Sequence, residues 1–192
     1  MLFRSLAENK IDTGRWRFEH TLQDIQTLNE RATRGELHIS AISIHAYAHV
    51  LDKYALLPCG ASMGDGYGPM LIAPEGTLFP NEPAALKAWL RTQKIAVPGL
   101  MTSAFLALGL YLGARPENFV VVPFDEIFNH VADGKAGVGL IIHEGQLTYA
   151  RDGFVKLVDL ANGGSPRPTC RCRSAEMSSA KTSRRPIAAR ST

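Results

Sequence analysis

One stretch of the chain places a threonine and a serine where a strand turns into a helix: residues 97–108, VPGLMTSAFLAL. Free backbone N–H groups at a helix start, together with the hydroxyls of Thr102 and Ser103, can hold a carboxylate or a phosphate. The same two residue types also serve as ordinary N-caps that bind no ligand. The stretch therefore predicts either an anion-binding turn or a plain helix start.

A second stretch, residues 41–50 with the sequence AISIHAYAHV, repeats this arrangement. A strand ends near Ser43, and helical periodicity follows it. Ser43 could cap that helix or contact a ligand, with the main chain of Ala41 and Ile42 beside it. Two such turns in one α/β chain predict a ligand held at the carboxyl ends of strands.

A histidine follows a further predicted strand, in residues 139–149, GLIIHEGQLTY. His143 comes directly after four apolar residues, with Glu144 next to it. An imidazole there suits general acid–base catalysis, because its ordinary pKa lies near neutral pH. A buried histidine that is hydrogen-bonded to the backbone would give the same pattern, and Glu144 could simply be exposed.

Other residues give weaker signals for a metal or a phosphate. His45 and His49 are one helical turn apart, which suits metal ligation, but no acidic residue completes an HExxH motif. The glycine-rich residues 62–69, SMGDGYGP, lack the Gly-Lys-Ser/Thr of a P-loop and predict a turn or hinge. Cys59 fits a small buried apolar residue better than a nucleophile. We therefore predict no metal site.

The elements that must position these residues alternate between strand and helix. We predict helices in residues 2–12, 24–35, 44–54, 102–113 and 125–135, with one helical turn within 73–89. We predict strands in residues 16–22, 37–43, 54–60, 66–73, 94–99, 118–124, 136–144 and 154–160. This βαβ alternation predicts an α/β fold with a mostly parallel sheet and crossover helices.

The charge of the chain depends on its last residues. The whole chain has 21 Lys and Arg against 18 Asp and Glu, a net charge of +3. Residues 161–192 hold seven of the basic residues and one acid, which leaves 14 basic and 17 acidic residues in the body. A nucleic-acid partner is therefore not expected for the body. With no bilayer-spanning run and no signal peptide, we expect a cytoplasmic protein without a membrane partner.

Together these segments resemble the 1,4-dihydroxy-6-naphthoate synthase family of the futalosine route to menaquinone. The resemblance covers nearly all of residues 1–160. Its most specific parts are ISAISIHAYAHV, YALLPCGASMGDGYGP, KIAVPG, the Thr-Ser helix start and GLIIHEGQLTYARDGFVKLVDL. The chorismate dehydratases of the same pathway share the fold but match these motifs less well.

The resemblance implies a two-lobed α/β fold like that of type 2 periplasmic binding proteins, with the substrate in the cleft. Residues 1–75 would form part of the first lobe, 76–94 a connecting loop and 95–160 the second lobe.

The resemblance also implies conversion of cyclic dehypoxanthine futalosine to 1,4-dihydroxy-6-naphthoate, without a metal or redox cofactor. His143 would accept a proton beside a carbonyl, after which ring opening and aromatisation drive the reaction. The implied substrate contacts are Ala41, Ile42, Ser43, Thr102, Ser103 and Ala104.

The chain departs from the family at both ends, which predicts an incomplete fold. It starts inside the family's first helix, and the family's Leu-Pro-Leu-Pro-Leu-Gly-Gly-Asn segment is absent after residue 160. Back-translation of the tail with GC-rich codons, read one base earlier, gives Gly-Glu-Trp-Trp and then that missing segment.

We hypothesise that residues from about Ala161 onward are a frame-shifted translation and form a disordered tail, because their composition could not bury a core. The Cys-x-Cys and the basic charge of the tail would then be accidental. Resequencing the gene through these codons tests this hypothesis, which an intended reading frame would contradict.

Three functional hypotheses follow. The chain is an enzyme of this lineage with His143 as its base, a non-catalytic small-molecule-binding protein of the same fold, or an inactive truncated product. A chorismate dehydratase is a further alternative. The sequence makes no prediction about the oligomeric state.

Overall fold

The computed structural model of the chain describes residues 2–8, 10–58, 60–63, 68–142, 145–161 and 175–180. The chain divides into two units. Unit 1 contains Met1–Ser62 and Glu176–Thr192, and unit 2 contains Met63–Ala175.

The elements of the described residues are these, in chain order. The helices are α1 (Leu2–Ala7), α2 (Ile25–Arg34), α3 (Ile44–Tyr47), α4 (Pro83–Thr92), α5 (Ser103–Leu112), α6 (Ile127–Ala132) and α7 (Gly145–Thr148), with a 3-10 turn at Phe124–Glu126. The strands are β1 (Ile39–Ser43), β2 (Ala55–Leu56), β3 (Ser62–Met63), β4 (Met70–Pro74), β5 (Ile95–Val97), β6 (Phe119–Val121), β7 (Val138–Ile141), β8 (Phe154–Asp159) and β9 (Ala175–Ala180).

Helix α2 of unit 1 begins and ends at the predicted residues. The Asp24 side chain accepts a hydrogen bond from the Thr27 N–H at 2.9 Å, and Gly35 ends the helix in the left-handed region with φ of +72°. Partial burial alone would raise the pKa of Asp24, but hydrogen bonds from Thr27 outweigh it and leave this pKa below its ordinary value. Helix α2 packs against β1, with Asn29 and Ala32 on its buried face.

The sheet of unit 1 includes a strand from the segment that the sequence predicts to be disordered. Strand β9 pairs antiparallel with β1, with Ile39 opposite Ala180 and Ser43 opposite Glu176. It also pairs antiparallel with β2 and pairs with β3. The prediction of disorder therefore needs correction for residues 175–180, because backbone pairing with open strand edges requires no apolar composition.

The sheet of unit 2 has the order β6-β5-β7-β4-β8. Strands β6, β5 and β7 are parallel neighbours, as the βαβ pattern predicts. Strand β4 is antiparallel to both β7 and β8, so the sheet is mixed rather than mostly parallel. These pairings place β4 in unit 2, which begins at Met63, and the lobe boundaries expected from the resemblance stay a prediction.

Two hydrophobic clusters cover the two faces of this sheet. In β5, Ile95 and Val97 face the cluster that includes α4 and α5, while Ala96 faces the cluster that includes α6. Such alternation is the period of two that strands impose on their side chains. Gly139 of β7 allows α6 to approach closely, because a Cβ there would lie 2.8 Å from Ile127 Cγ2.

Several local predictions are wrong. Residues 16–22 form no strand. Their alternating pattern predicts one buried apolar face, but Trp16 and Phe18 of that face are substantially exposed. The predicted helix of residues 44–54 shortens to α3, and the single turn expected in 73–89 is the ten-residue α4. Within the described part of the chain, no helix combines the length and apolarity that crossing a membrane requires.

Candidate functional site

The turn that leads into α5, residues 99–104, is named here the Thr102 turn. Thr102 is 2% exposed, and its hydroxyl donates to the Gly99 carbonyl at 2.7 Å. The same oxygen accepts from the Phe105 N–H at 3.2 Å, so Thr102 is the N-cap of α5. Gly99 has φ of +154°, a value that glycine adopts readily. The N-cap interpretation is thus confirmed for Thr102, and its hydroxyl is fully engaged.

Ser103 differs from Thr102 because its hydroxyl is uncommitted. Its Oγ is buried, and it has no hydrogen-bond partner among the residues that the structure describes. The N–H groups of Ser103 and Ala104 belong to the first turn of α5, where helix geometry supplies no acceptor. The Thr102 turn therefore offers one hydroxyl and two amides to a ligand with acceptor oxygens.

The turn after β1 in unit 1, residues 41–43, is named here the Ser43 turn. Ser43 is 2% exposed and stands at the N-cap position of α3, but its side chain caps no N–H group of that helix. Its hydroxyl oxygen instead accepts from Asn29 Nδ2 at 3.0 Å, and its backbone N–H donates to Asn29 Oδ1 at 2.9 Å. Ile42 beside it is fully buried, and Ala41 is half-buried.

Asn29 is the residue of this turn that sequence reasoning missed. It lies 14 positions before Ser43 and is fully buried in the middle of an otherwise amphipathic helix. A polar residue on the buried face of a predicted helix is the one signal that could have found it, because buried amides require hydrogen-bond partners. That signal does not identify the partner, which only the packing of α2 on β1 determines.

The short length of α3 changes the expectation for the Ser43 turn. The sequence predicts a helix start that could cradle an anion, but α3 has only four residues and Ser43 does not cap it. A single helical turn aligns few peptide dipoles and provides little positive potential. Any ligand contact of this turn therefore depends on the Ser43 hydroxyl and the neighbouring main chain.

His143 and Glu144 lie outside the described residues, but both flanks of this pair are described. Ile142 packs against the core cluster around Leu140, at the carboxyl end of β7. Gly145 begins α7, and a Cβ there would lie 2.8 Å from the ring of Phe128, so only glycine fits without displacement.

Parallel pairing brings the Thr102 turn and the end of β7 to one edge of the sheet. Ile95 of β5 is opposite Val138 of β7, and Ala96 is opposite Gly139. The two strands run in the same direction about 4.8 Å apart, so their carboxyl ends are adjacent. The Thr102 turn follows one of them and the segment with residue 143 follows the other.

His45 and His49 are the two residues whose spacing suits metal ligation. The rings of His45 and His49 lie 5.6 Å apart between centroids. In the described ranges, no group of three or more His, Cys, Asp or Glu residues could hold a metal ion. Cys59 and residues 64–67 of the glycine-rich stretch fall outside those ranges.

Comparison with known proteins places the chain in a family. A family model described as menaquinone biosynthesis matches residues 2–163. The chain belongs to this menaquinone-biosynthesis family. It is 41% identical over 160 residues to a 1,4-dihydroxy-6-naphthoate synthase of Thermus thermophilus and 36% identical over 163 residues to one of Streptomyces coelicolor. Each alignment covers 83% of this chain and 54% of the relative, so the chain spans about half the length of these curated relatives.

Two solved structures have folds similar to that of this chain. A crystal structure of a protein from Archaeoglobus fulgidus superimposes with a TM-score of 0.77 at 37% identity, covering 94% of this chain and 63% of that one. The substrate-binding protein of an amino acid ABC transporter superimposes with a TM-score of 0.59 at 9% identity, covering 94% and 71%. The second likeness concerns the fold alone. The chain thus has the α/β fold of periplasmic binding proteins.

The two hydrogen bonds of Thr102 predict an effect on stability. Thr102→Val preserves the shape of the side chain, but it removes the hydroxyl's bond to the Gly99 carbonyl and leaves the Phe105 N–H without its side-chain acceptor. We expect a loss of about 1–2 kcal/mol in the free energy of unfolding, measured by urea denaturation. Thr102→Ser keeps both bonds and should lose less than half of that amount. Equal losses in the two variants would contradict the assigned role of the hydroxyl.

Proposed function

We propose that this chain carries the activity for which its curated relatives are named, the formation of 1,4-dihydroxy-6-naphthoate, with cyclic dehypoxanthine futalosine as substrate. The identities of 36% and 41% over 83% of the chain support this proposal. The shared portion includes the Ser43 turn, the Thr102 turn and the segment with His143. The family match to residues 2–163 contains the same three segments.

One geometric observation carries the proposal. The neighbouring parallel strands β5 and β7 end at the same edge of the unit 2 sheet. Donor groups of the Thr102 turn follow β5, and the segment with His143 follows β7. Ligands of α/β proteins bind outside the carboxyl ends of strands, where a base and an oxygen-binding turn can act on one molecule.

The Thr102 turn would bind acceptor oxygens of the substrate. Thr102 itself is committed to Gly99 and Phe105, so we assign the contact to the Ser103 hydroxyl and the N–H groups of Ser103 and Ala104. Donors fixed before the substrate arrives need no reorganisation, which favours electrostatic stabilisation of an oxyanion. Thr102 would act by holding this turn in place.

His143 would act as the general base. A neutral imidazole can take an acidic proton from the carbon beside a carbonyl, and the electron pair left behind moves toward the carbonyl oxygen. Hydrogen-bond donors at that oxygen would stabilise the negative charge that develops on it. Ring opening and aromatisation would then drive the sequence forward.

The Ser43 turn would supply a further contact in unit 1. Ser43 and the main chain of Ala41 and Ile42 are the proposed contributors. A cytoplasmic location, expected from the sequence, stays a prediction.

A second candidate is binding without turnover. The likeness of the fold to the substrate-binding protein of an amino acid transporter favours this alternative. The Thr102 turn would then hold a small carboxylate, and His143 would only contribute a hydrogen bond.

The activity of a His143→Ala variant of the 192-residue chain tests the enzyme proposal. We expect the unaltered chain to convert cyclic dehypoxanthine futalosine, measured as product by liquid chromatography. A general base contributes about 10²- to 10⁴-fold, so the variant should lose at least 100-fold in kcat while its substrate affinity changes little. His130→Ala, on α6 of the same unit, is the matched control and should keep full activity.

The outcomes separate the two candidates. Substrate binding without any product in the unaltered chain would favour the binding protein. A His143→Ala variant with normal kcat would remove His143 as the base. Absence of both binding and product would contradict both candidates.

A further inference from the structure

We propose that Asn29 is a positioning residue that orients the Ser43 hydroxyl as a hydrogen-bond donor toward an acceptor oxygen of the ligand. This inference rests on the proposed function and assigns to Asn29 a role that acts through Ser43. It follows from two hydrogen bonds between the same two residues, both in unit 1.

The orientation of the Asn29 amide follows from the backbone. The Ser43 N–H can only donate, so the atom that faces it at 2.9 Å must be the Asn29 carbonyl oxygen. The other end of the amide is then Nδ2, which lies 3.0 Å from Ser43 Oγ. An amide nitrogen cannot accept a hydrogen bond. Ser43 Oγ must therefore be the acceptor in this contact.

This direction determines where the hydroxyl proton can point. Ser43 Oγ receives the Asn29 N–H through one lone pair, so its own proton points away from Asn29. The hydroxyl caps no N–H group of α3, and no residue in the described part of the chain accepts its proton. The buried hydroxyl is therefore set to donate to an acceptor such as a carboxylate or carbonyl oxygen.

The helix that carries Asn29 is held in place at both ends and along one face. Asn29 is fully buried in the middle of α2, whose start is fixed by Asp24 and whose end is fixed by Gly35. Helix α2 packs along β1, the strand that ends at Ser43. A contact residue whose partner is locked by packing keeps its geometry before the ligand arrives.

The competing explanation is that Asn29 only joins α2 to β1. A purely structural clamp would affect stability in every variant but would not couple specifically to ligand affinity. Asn29→Asp separates the two roles because it is nearly isosteric. Its Oδ1 can still accept from the Ser43 N–H, while its second oxygen can only accept and so turns the Ser43 proton inward.

The test is a double-mutant cycle on the full 192-residue chain, with cyclic dehypoxanthine futalosine as the probe. We expect Asn29→Asp and Ser43→Ala each to raise KM about tenfold or more with a much smaller change in kcat, because each removes a hydrogen bond to an acceptor oxygen. In the Ser43→Ala background, Asn29→Asp should add less than a threefold further increase. Tyr54→Phe is the matched control, since it removes a part-buried hydrogen bond to the Leu37 carbonyl in the same unit. Its KM should stay within twofold of the unaltered chain.

A second measurement examines the hydrogen bond without a ligand. In nuclear magnetic resonance spectra, the side-chain NH₂ protons of Asn29 should exchange slowly with water, and Ser43→Ala should accelerate that exchange at least tenfold. Unchanged exchange would overturn the inference even if Asn29→Asp folds poorly.

The remaining outcomes are also decisive. If the unaltered chain binds the substrate but the two substitutions raise KM independently, the positioning role is overturned and the proposed function stands. If the unaltered chain neither binds nor converts the substrate, the proposed function fails and the inference fails with it.

Discussion

Parallel pairing of β5 with β7 is the constraint on which the organisation of unit 2 depends. It joins the parallel strands β6 and β5 to the antiparallel strands β4 and β8, and it brings two loop segments to one edge of a sheet whose faces are covered by α5 and α6. Gly139 lies at this pairing and admits α6 at a distance that any Cβ would obstruct. The proposed chemistry depends on this backbone arrangement, because a base and its partner donors must meet at one substrate.

The two turns hold their polar groups by different means. In the Thr102 turn, the capping residue satisfies its own helix and leaves the neighbouring Ser103 hydroxyl uncommitted. In the Ser43 turn, the residue at the N-cap position does not cap, because a buried amide from another helix engages its hydroxyl. The Asn29 amide fixes the Ser43 hydroxyl before a ligand arrives, which reduces the cost of binding, whereas the Ser103 hydroxyl is free to turn toward an acceptor.

The sequence predicts the ends of helices, because hydrogen bonds between residues close in the chain determine them. Asp24 and Gly35 bound α2, and Thr102 and Gly113 bound α5, because caps act within a few residues. The N-cap of α4 is Glu82, a less common capping residue, and the sequence predicts only one helical turn there. The sequence does not predict pairings between segments that are far apart in the chain, because no local pattern connects them. These pairings are the insertion of β9 between β1 and β2, the antiparallel β4, and the contact of Asn29 with Ser43. The proposed site residues came from the turns themselves and from the family resemblance.

The central claim is that the Thr102 turn contacts the substrate beside the carboxyl end of β7, within unit 2. The most direct measurement is an amide ¹H–¹⁵N titration of the chain with cyclic dehypoxanthine futalosine. The account predicts saturable shifts with a common dissociation constant for the amides of Ser103, Ala104 and Ile142. The amides around Arg91 of α4, which contacts the opposite end of α5 at Leu112, should stay unchanged. An absence of shifts at Ser103 and Ala104 while the substrate binds elsewhere would contradict it.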